Sequence, residues 1–202
     1  MTARLHLVRH ATSAETRAAR FPATTGAQAE VGCAGLDEAG RRAAEDLRPH
    51  LPHPDRIWSS WAVRAIQTAA AAGWEPEPSA DLAECDFGDW AGRDVHDVAA
   101  ADPEGFAAWL ADPTSGPVGG EPLGALRARA RRVLDRCEQG TTVAFTHGGL
   151  IRAVLAEALE LPAAALARVD LAPASVTVLH GHDGAWRLVR LNWTPVLVVR
   201  PA

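Results

Sequence analysis

The stretch TTVAFTHGGLIRAVL, residues 141–155, changes character at its centre. Up to Phe145 it is an apolar run of strand length. After Gly148-Gly149 it reads as a helix over 149–159. A buried strand running straight into a helix is the unit of an α/β fold. Its turn carries His147, at the mouth of a helix whose free N–H groups favour an anion. Near the start of the chain, LHLVRHATSAET (5–16) repeats the design: an apolar run over 4–8 ends in Arg9-His10, followed by small residues. In an open α/β sheet the carboxyl ends of the strands form the ligand crevice, and both histidines fall there.

Working outward, RIWSS (56–60) is a weaker third strand, and SVTVLHG (175–181) with AWRLVRLN (185–192) forms a hairpin about Asp183-Gly184. The intervening segments carry helical patterns. Residues 37–48 begin at Asp37, a good N-cap, and are expected to bury Ala39, Ala43 and Leu47. Residues 61–72 follow Ser59-Ser60, with Ser60 as the expected cap. Residues 122–138 open with Pro122 at the first helical position and place Leu123, Leu126, Ala130, Val133 and Cys137 at helical spacing. Strands alternating with helices predict a three-layer α/β/α sandwich around a mainly parallel sheet, in one domain spanning 1–202. Residues 17–36 and 85–120 read as excursions over one end of the sheet, the second a small insertion covering the active site.

Composition narrows the function. The 202 residues carry a formal net charge of −5, which argues against general affinity for nucleic acid or for an anionic membrane. All 20 basic residues are arginine; there is no lysine. Cys33, Cys85 and Cys137 are far apart and form neither a disulfide framework nor a metal knuckle, so a reducing compartment is expected. With no signal-like or membrane-spanning run in view, the expectation is a cytoplasmic protein.

Two further side chains carry chemistry. Arg64, in SSWAVRAIQTA (59–69), falls in the first turn of a helix, where a cation gains nothing from the helix dipole. A solvated arginine is the plain reading and an anion clamp the functional one. Glu84, in DLAECDFGDWAG (81–92), has the apolar neighbours Leu82, Ala83, Cys85 and Phe87. It is either a surface carboxylate or a buried one suited to give a proton.

Five blocks, LVRHATS, SSWAVRAIQTA, LAECDFGDWAG, GGEPL and FTHGGLIRAVL, stand in the order and approximate spacing of the histidine phosphatase superfamily. The chain resembles that family from residue 4 to about residue 180. The resemblance implies a phosphoglycerate-mutase-like fold and phosphoryl chemistry that needs no cofactor and no metal. It implies that His10 is the nucleophile, forming a transient phosphohistidine, and that Arg9, Arg64 and His147 hold the phosphoryl oxygens and stabilise them by charge. Glu84 is then the acid that protonates the leaving alkoxide and, as a base, activates water. The implied substrate is a small phosphomonoester.

The chain departs from the family pattern at three points. Ala11 replaces the usual glycine after the histidine, Thr16 stands where an asparagine phosphate ligand is common, and Gly119-Gly120-Glu121-Pro122 lacks the usual serine. Mutases of this fold carry extra basic residues, one a lysine, and a longer insertion, whereas here Arg93 is the only arginine between Arg64 and Arg127. Phosphatase is therefore the expected activity, with mutase-type transfer and a phosphate-binding protein without turnover as the alternatives. The short insertion is similar to that of α-ribazole phosphate phosphatases and of small broad-specificity phosphatases. Trp90, Phe106 and Trp109 read as core, unless Trp109 lines the pocket and stacks on a sugar or base. His180 and His182 read as turn histidines rather than metal ligands, and His50 and His53 as solvated. The apolar tail PVLVVRP (195–201) is either an added edge strand or a surface for a second copy of the chain, a homodimer.

Overall fold

The computed structural model describes residues 2–18, 20–22, 35–111, 116–162, 165 and 168–195. Among them the strands are β1 (Thr2–Arg9), β2 (Arg56–Ser59), β3 (Glu77–Pro78), β4 (Gly140–Thr146), β5 (Val176–His182) and β6 (Ala185–Trp193). They form one sheet in the order β3-β2-β4-β1-β5-β6. The run from β3 to β1 is parallel, and β5 and β6 close the other edge antiparallel. The helices are α1 (Ala14–Arg17), α2 (Glu38–Leu47), α3 (Val63–Ala71), α4 (Val95–Ala101), α5 (Pro103–Ala111), α6 (Leu123–Asp135) and α7 (Gly148–Ala158).

Alternate strand residues feed two cores, as a period of two requires. Leu5, Leu7 and Ala144 pack with Leu126, Ala130 and Val133 of α6 and Leu150, Ile151 and Val154 of α7. On the opposite face, Val8, Val143 and Phe145 meet Ala44 and Leu47 of α2 and Ala65 and Ala69 of α3. The sheet therefore lies between two helical layers, the three-layer α/β/α sandwich that the sequence predicts. A fully buried leucine such as Leu5 or Leu7 contributes about 1.5–3 kcal/mol.

Local details differ from the sequence reading. Asp37 caps α2, its Oδ1 accepting from the Gly40 N–H at 2.7 Å, but the helix buries Gly40, Ala44 and Leu47, with Ala43 only half-buried against the same core and Ala39 exposed. The cause is a close approach: a Cβ on Gly40 would stand 2.2 Å from the Thr12 carbonyl, so the loop after His10 presses on that face. α3 starts three residues after Ser60, with Ala62 at its N-cap, and Pro122 occupies the N-cap of α6 rather than its first turn. The β5–β6 hairpin turns at Asp183 (φ 49°) and Gly184 (φ 82°), the paired positive φ of a type I′ turn. His182 ends β5, with Nε2 3.2 Å from its neighbour Asp183.

The segment 85–120 is pinched at its base, where the Glu121 N–H donates to the Asp86 carbonyl at 2.8 Å. Its Phe87, Trp90, Phe106 and Trp109 stack in one group with Phe21, which packs on them from outside the segment, with ring centroids 4.6–6.3 Å apart. Trp109 therefore holds the insertion together. Cys85 and Cys137 are buried free thiols, and burial pushes the Cys137 thiol up to about 11. Among the described residues no helix is long and apolar enough to cross a membrane. Cys33 and, beyond Pro195, the apolar tail lie outside the described residues.

Candidate active site

Strand register builds the site. Arg9 pairs with Thr146 and Ser59 with Phe145, so β1, β4 and β2 end nearly level. The residues immediately after them, His10, His147 and Ser60, emerge side by side. Two backbone bonds hold that edge, from the His10 N–H to Thr146 O at 2.8 Å and from the Ser60 N–H to Phe145 O at 2.9 Å.

Arg64, in the first turn of α3 and only 3% exposed, bridges the two histidines. Its Nε lies 3.2 Å from Nε2 of His10, and its Nη2 3.1 Å from Nδ1 of His147. A guanidinium only donates, which assigns both tautomers. His10 accepts at Nε2 and carries its proton on Nδ1, donated to the Ala11 carbonyl at 2.8 Å. His147 accepts at Nδ1 and donates from Nε2 to Oγ of Ser60 at 2.9 Å. Burial, then the Arg64 charge, holds the pKa of each imidazole well below the ordinary 6.5. Both rings are neutral, with centroids 5.1 Å apart. His147 was expected to act as a cation. It is fully buried against an arginine, and that is why it carries no charge here.

Arg9 closes the other side. Its Nη1 donates to the Leu171 carbonyl, while its Nε is buried without a hydrogen-bond partner, close to Gly148 at the start of α7. Burial, opposed by Glu84 and Asp170, lowers its pKa from the ordinary arginine value. An orphaned donor beside a helix N-terminus is a place for an oxyanion.

Glu84 lies at the same helix start. Its Oε2 accepts from the Gly149 N–H at 3.3 Å and its Oε1 from the Cys85 N–H at 3.0 Å. A Cβ on residue 149 would stand 2.2 Å from Oε1, so glycine there makes room for the carboxylate. The sequence reading offered an apolar pocket or a surface site; the structure shows a polar cradle of backbone donors. Thr16 turns its hydroxyl to Oγ of Ser13, 3.0 Å away, within the cap of α1.

The structure thus gathers Arg9, His10, Arg64, Glu84 and His147 at one end of the sheet. Three contributors escaped the sequence reading. Ser60 was taken for a helix cap, yet its hydroxyl fixes His147. Arg129, on α6, pairs with Glu121 at 2.6 Å and donates to the carbonyls of Asp81, Ala83 and Glu84 at 3.1, 2.8 and 3.2 Å, pinning the loop that carries the carboxylate. Trp61, 46% exposed, lines a cavity beside Glu84. Its signal was position, directly after Ser59-Ser60. Among the described residues no group of three metal-ligating side chains is arranged to hold an ion.

Two neutral histidines bridged by one arginine thus stand at the carboxyl ends of the central parallel strands, beside a buried arginine donor without a partner. The chain belongs to the histidine phosphatase superfamily (branch 1), whose family model matches residues 5–194. It is 32% identical over 175 residues to a bifunctional protein of Mycobacterium tuberculosis, a match covering 81% of this chain and 48% of the other. The chain thus spans about half the length of that relative. To the adenosylcobalamin/α-ribazole phosphatase of Salmonella typhimurium it is 31% identical over 142 residues, 65% of this chain and 70% of the other. A mycobacterial glucosyl-3-phosphoglycerate phosphatase, solved with VO3, is similar with a TM-score of 0.81 at 30% identity. That match covers 95% of this chain and 100% of the other.

Proposed function

We propose that this chain hydrolyses a small phosphomonoester through a phosphohistidine on His10, with no metal taking part. The observation that carries the reading is the state of His10. Its Nδ1 proton is spent on the Ala11 carbonyl, which leaves the Nε2 lone pair as nucleophile, aimed at the place where Arg64 donates. A phosphate dianion displaces that contact and takes the guanidinium donors of Arg64 and Arg9. In the first step the Nε2–P bond forms, the ester P–O bond breaks, and Glu84 gives its proton to the departing alkoxide. In the second, water attacks phosphorus, its proton passes to Glu84, and the N–P bond breaks to release inorganic phosphate and free His10. His147, held by Ser60, gains a proton most readily when the dianion is bound, because opposite charge favours the imidazolium.

Hydrolysis is favoured over transfer to a second phosphorylated alcohol because the cavity beside Glu84 carries carboxylates. Its one cation, Arg129, is already committed to Glu121 and three carbonyls. Two of these relatives are named for α-ribazole and for glucosyl-3-phosphoglycerate. Because the carboxylates of the cavity disfavour a carboxylated ester such as the second, ribazole and uncharged sugar phosphates head the substrate panel.

The test is phosphate release with EDTA present, from p-nitrophenyl phosphate, 3-phosphoglycerate, sugar phosphates and α-ribazole phosphate, for wild type and His10→Ala. EDTA-resistant turnover lost in the variant, with an acid-labile phosphoenzyme trapped only in wild type, supports the reading. Turnover unchanged in His10→Ala overturns it.

A further inference from the structure

Next to the phosphate-handling cluster lies a second space, lined by Trp61, Ala80, Ala83, Glu84, Asp86, Glu121 and Arg129, with a volume of about 310 Å³. That is room for one ring-sized group. One covalent link and one hydrogen bond tie it to the chemistry. Trp61 directly follows Ser60, whose hydroxyl holds His147, and Glu84 rests on the Gly149 N–H at the start of α7. An ester whose phosphorus faces His10 presents its alcohol oxygen to Glu84, and Glu84 is also a wall of this space.

Its walls select by charge and shape. Glu84, Asp86 and Glu121 supply three carboxylates, and the single guanidinium of Arg129 is neutralised by Glu121. A second anionic group on the substrate meets repulsion there, since like charges in a partly dry cleft cost energy that nothing repays. The indole of Trp61 is the exposed aromatic surface, at 46%, in a chain whose other pocket-side candidate, Trp109, is committed to the Phe21 cluster. An exposed tryptophan face at an acidic rim suits a flat or cyclic group that is neutral or cationic.

We infer that Trp61 and this acidic wall form the leaving-group subsite, taking phosphomonoesters of uncharged or cationic ring-bearing alcohols and discriminating against carboxylated ones. The inference rests on the phosphatase reading for the direction in which the substrate lies.

The experiment compares kcat/KM for phenyl phosphate, glycerol 3-phosphate and 3-phosphoglycerate in wild type, Trp61→Phe and Trp61→Ala. The phenyl-to-glycerol preference falls roughly threefold to tenfold in Trp61→Ala, the worth of a stacked aromatic contact, and is largely kept in Trp61→Phe. An unchanged preference in Trp61→Ala overturns the subsite, and so does a wild-type preference for 3-phosphoglycerate. Calorimetric affinity of the His10→Ala protein for phenyl phosphate, with and without Trp61→Ala, reads the same contact without turnover. A loss there with no ester hydrolysed by wild type leaves the subsite standing while the phosphatase reading falls. No loss there overturns the subsite whatever the turnover.

Discussion

Nε of Arg64 lies 3.2 Å from Nε2 of His10, and this contact decides which nitrogen of the imidazole is free of hydrogen. The same guanidinium reaches Nδ1 of His147 with a second arm, so one planar fork sets two tautomers. Lysine has a single ammonium and cannot span both. Arg64→Lys is expected to fold and to lose about 10²–10³-fold in kcat/KM. Steady-state kinetics with circular dichroism as the folding control check this, and activity within a few fold of wild type would remove the bridge from the mechanism.

Gly149 offers a cleaner way to move the carboxylate. An alanine Cβ there collides with Oε1 of Glu84, the mobile end of a side chain, while the helix itself accepts alanine readily. Gly149→Ala should therefore keep or slightly raise the melting temperature and lower kcat about tenfold or more. The loss should be larger for alkyl esters, which need a proton on departure, than for p-nitrophenyl phosphate. Equal losses on both would show that the displaced group is not the acid.

Arg129 acts at one remove, through Glu121 and three carbonyls of the loop before and at Glu84. Arg129→Met leaves a largely buried Glu121 unpaired, a cost of about 1–3 kcal/mol in denaturant unfolding. Arg129→Lys restores the charge without the fan of donors. If Arg129 positions Glu84, the lysine variant regains stability yet keeps a steepened dependence of kcat/KM on leaving-group pKa. If that dependence returns to normal with stability, the role is structural only.

Acid should unfold this protein through its histidines. Burial, then His180, Arg190 and Arg4, pushes the His6 pKa down to about 4, and His10 and His147 are lowered as well. Below the ordinary value of 6.5 the unfolded chain takes up protons that the folded protein refuses, so stability falls with falling pH. It is fully present above about 6.5, and the His6 share is lost between there and about 4. Urea midpoints at pH 7.5 and 5 measure the slope, and His6→Leu should flatten it. A midpoint independent of pH across that window would contradict neutral buried histidines.

The layered fold was readable because β1 and β4 are apolar runs ending in chemistry, and because a strand that flows into a helix leaves few architectures. The phase of α2 was not readable. Ala39 and Ala43 fit a helical stripe as well as Gly40 and Ala44 do, and the choice was made by Thr12, on a different element. The five clustered side chains were legible from motif order, four of them at a strand end or a helix start and Glu84 in a loop. Their charge states were not, since the neutrality of His147 depends on an arginine 83 positions away. Trp109 packs in the aromatic cluster, the plainer of its two readings, while the exposure of Trp61 had no signal in the sequence for a related reason. Which tryptophan meets solvent depends on how the Phe21 cluster packs, and short-range pattern carries no record of that.

β1 leaves the ribosome before both of the strands that flank it, which lie beyond Gln139. While residues 10–139 are being made, the segment bearing Arg9 and His10 has neither of these neighbours to pair with, and its apolar residues depend on later arrivals for shelter. The central strand is therefore among the last to be locked in place. Every shortened product ending before β4 is a chain that has His10 but neither the strand nor the partner imidazole that stands beside it.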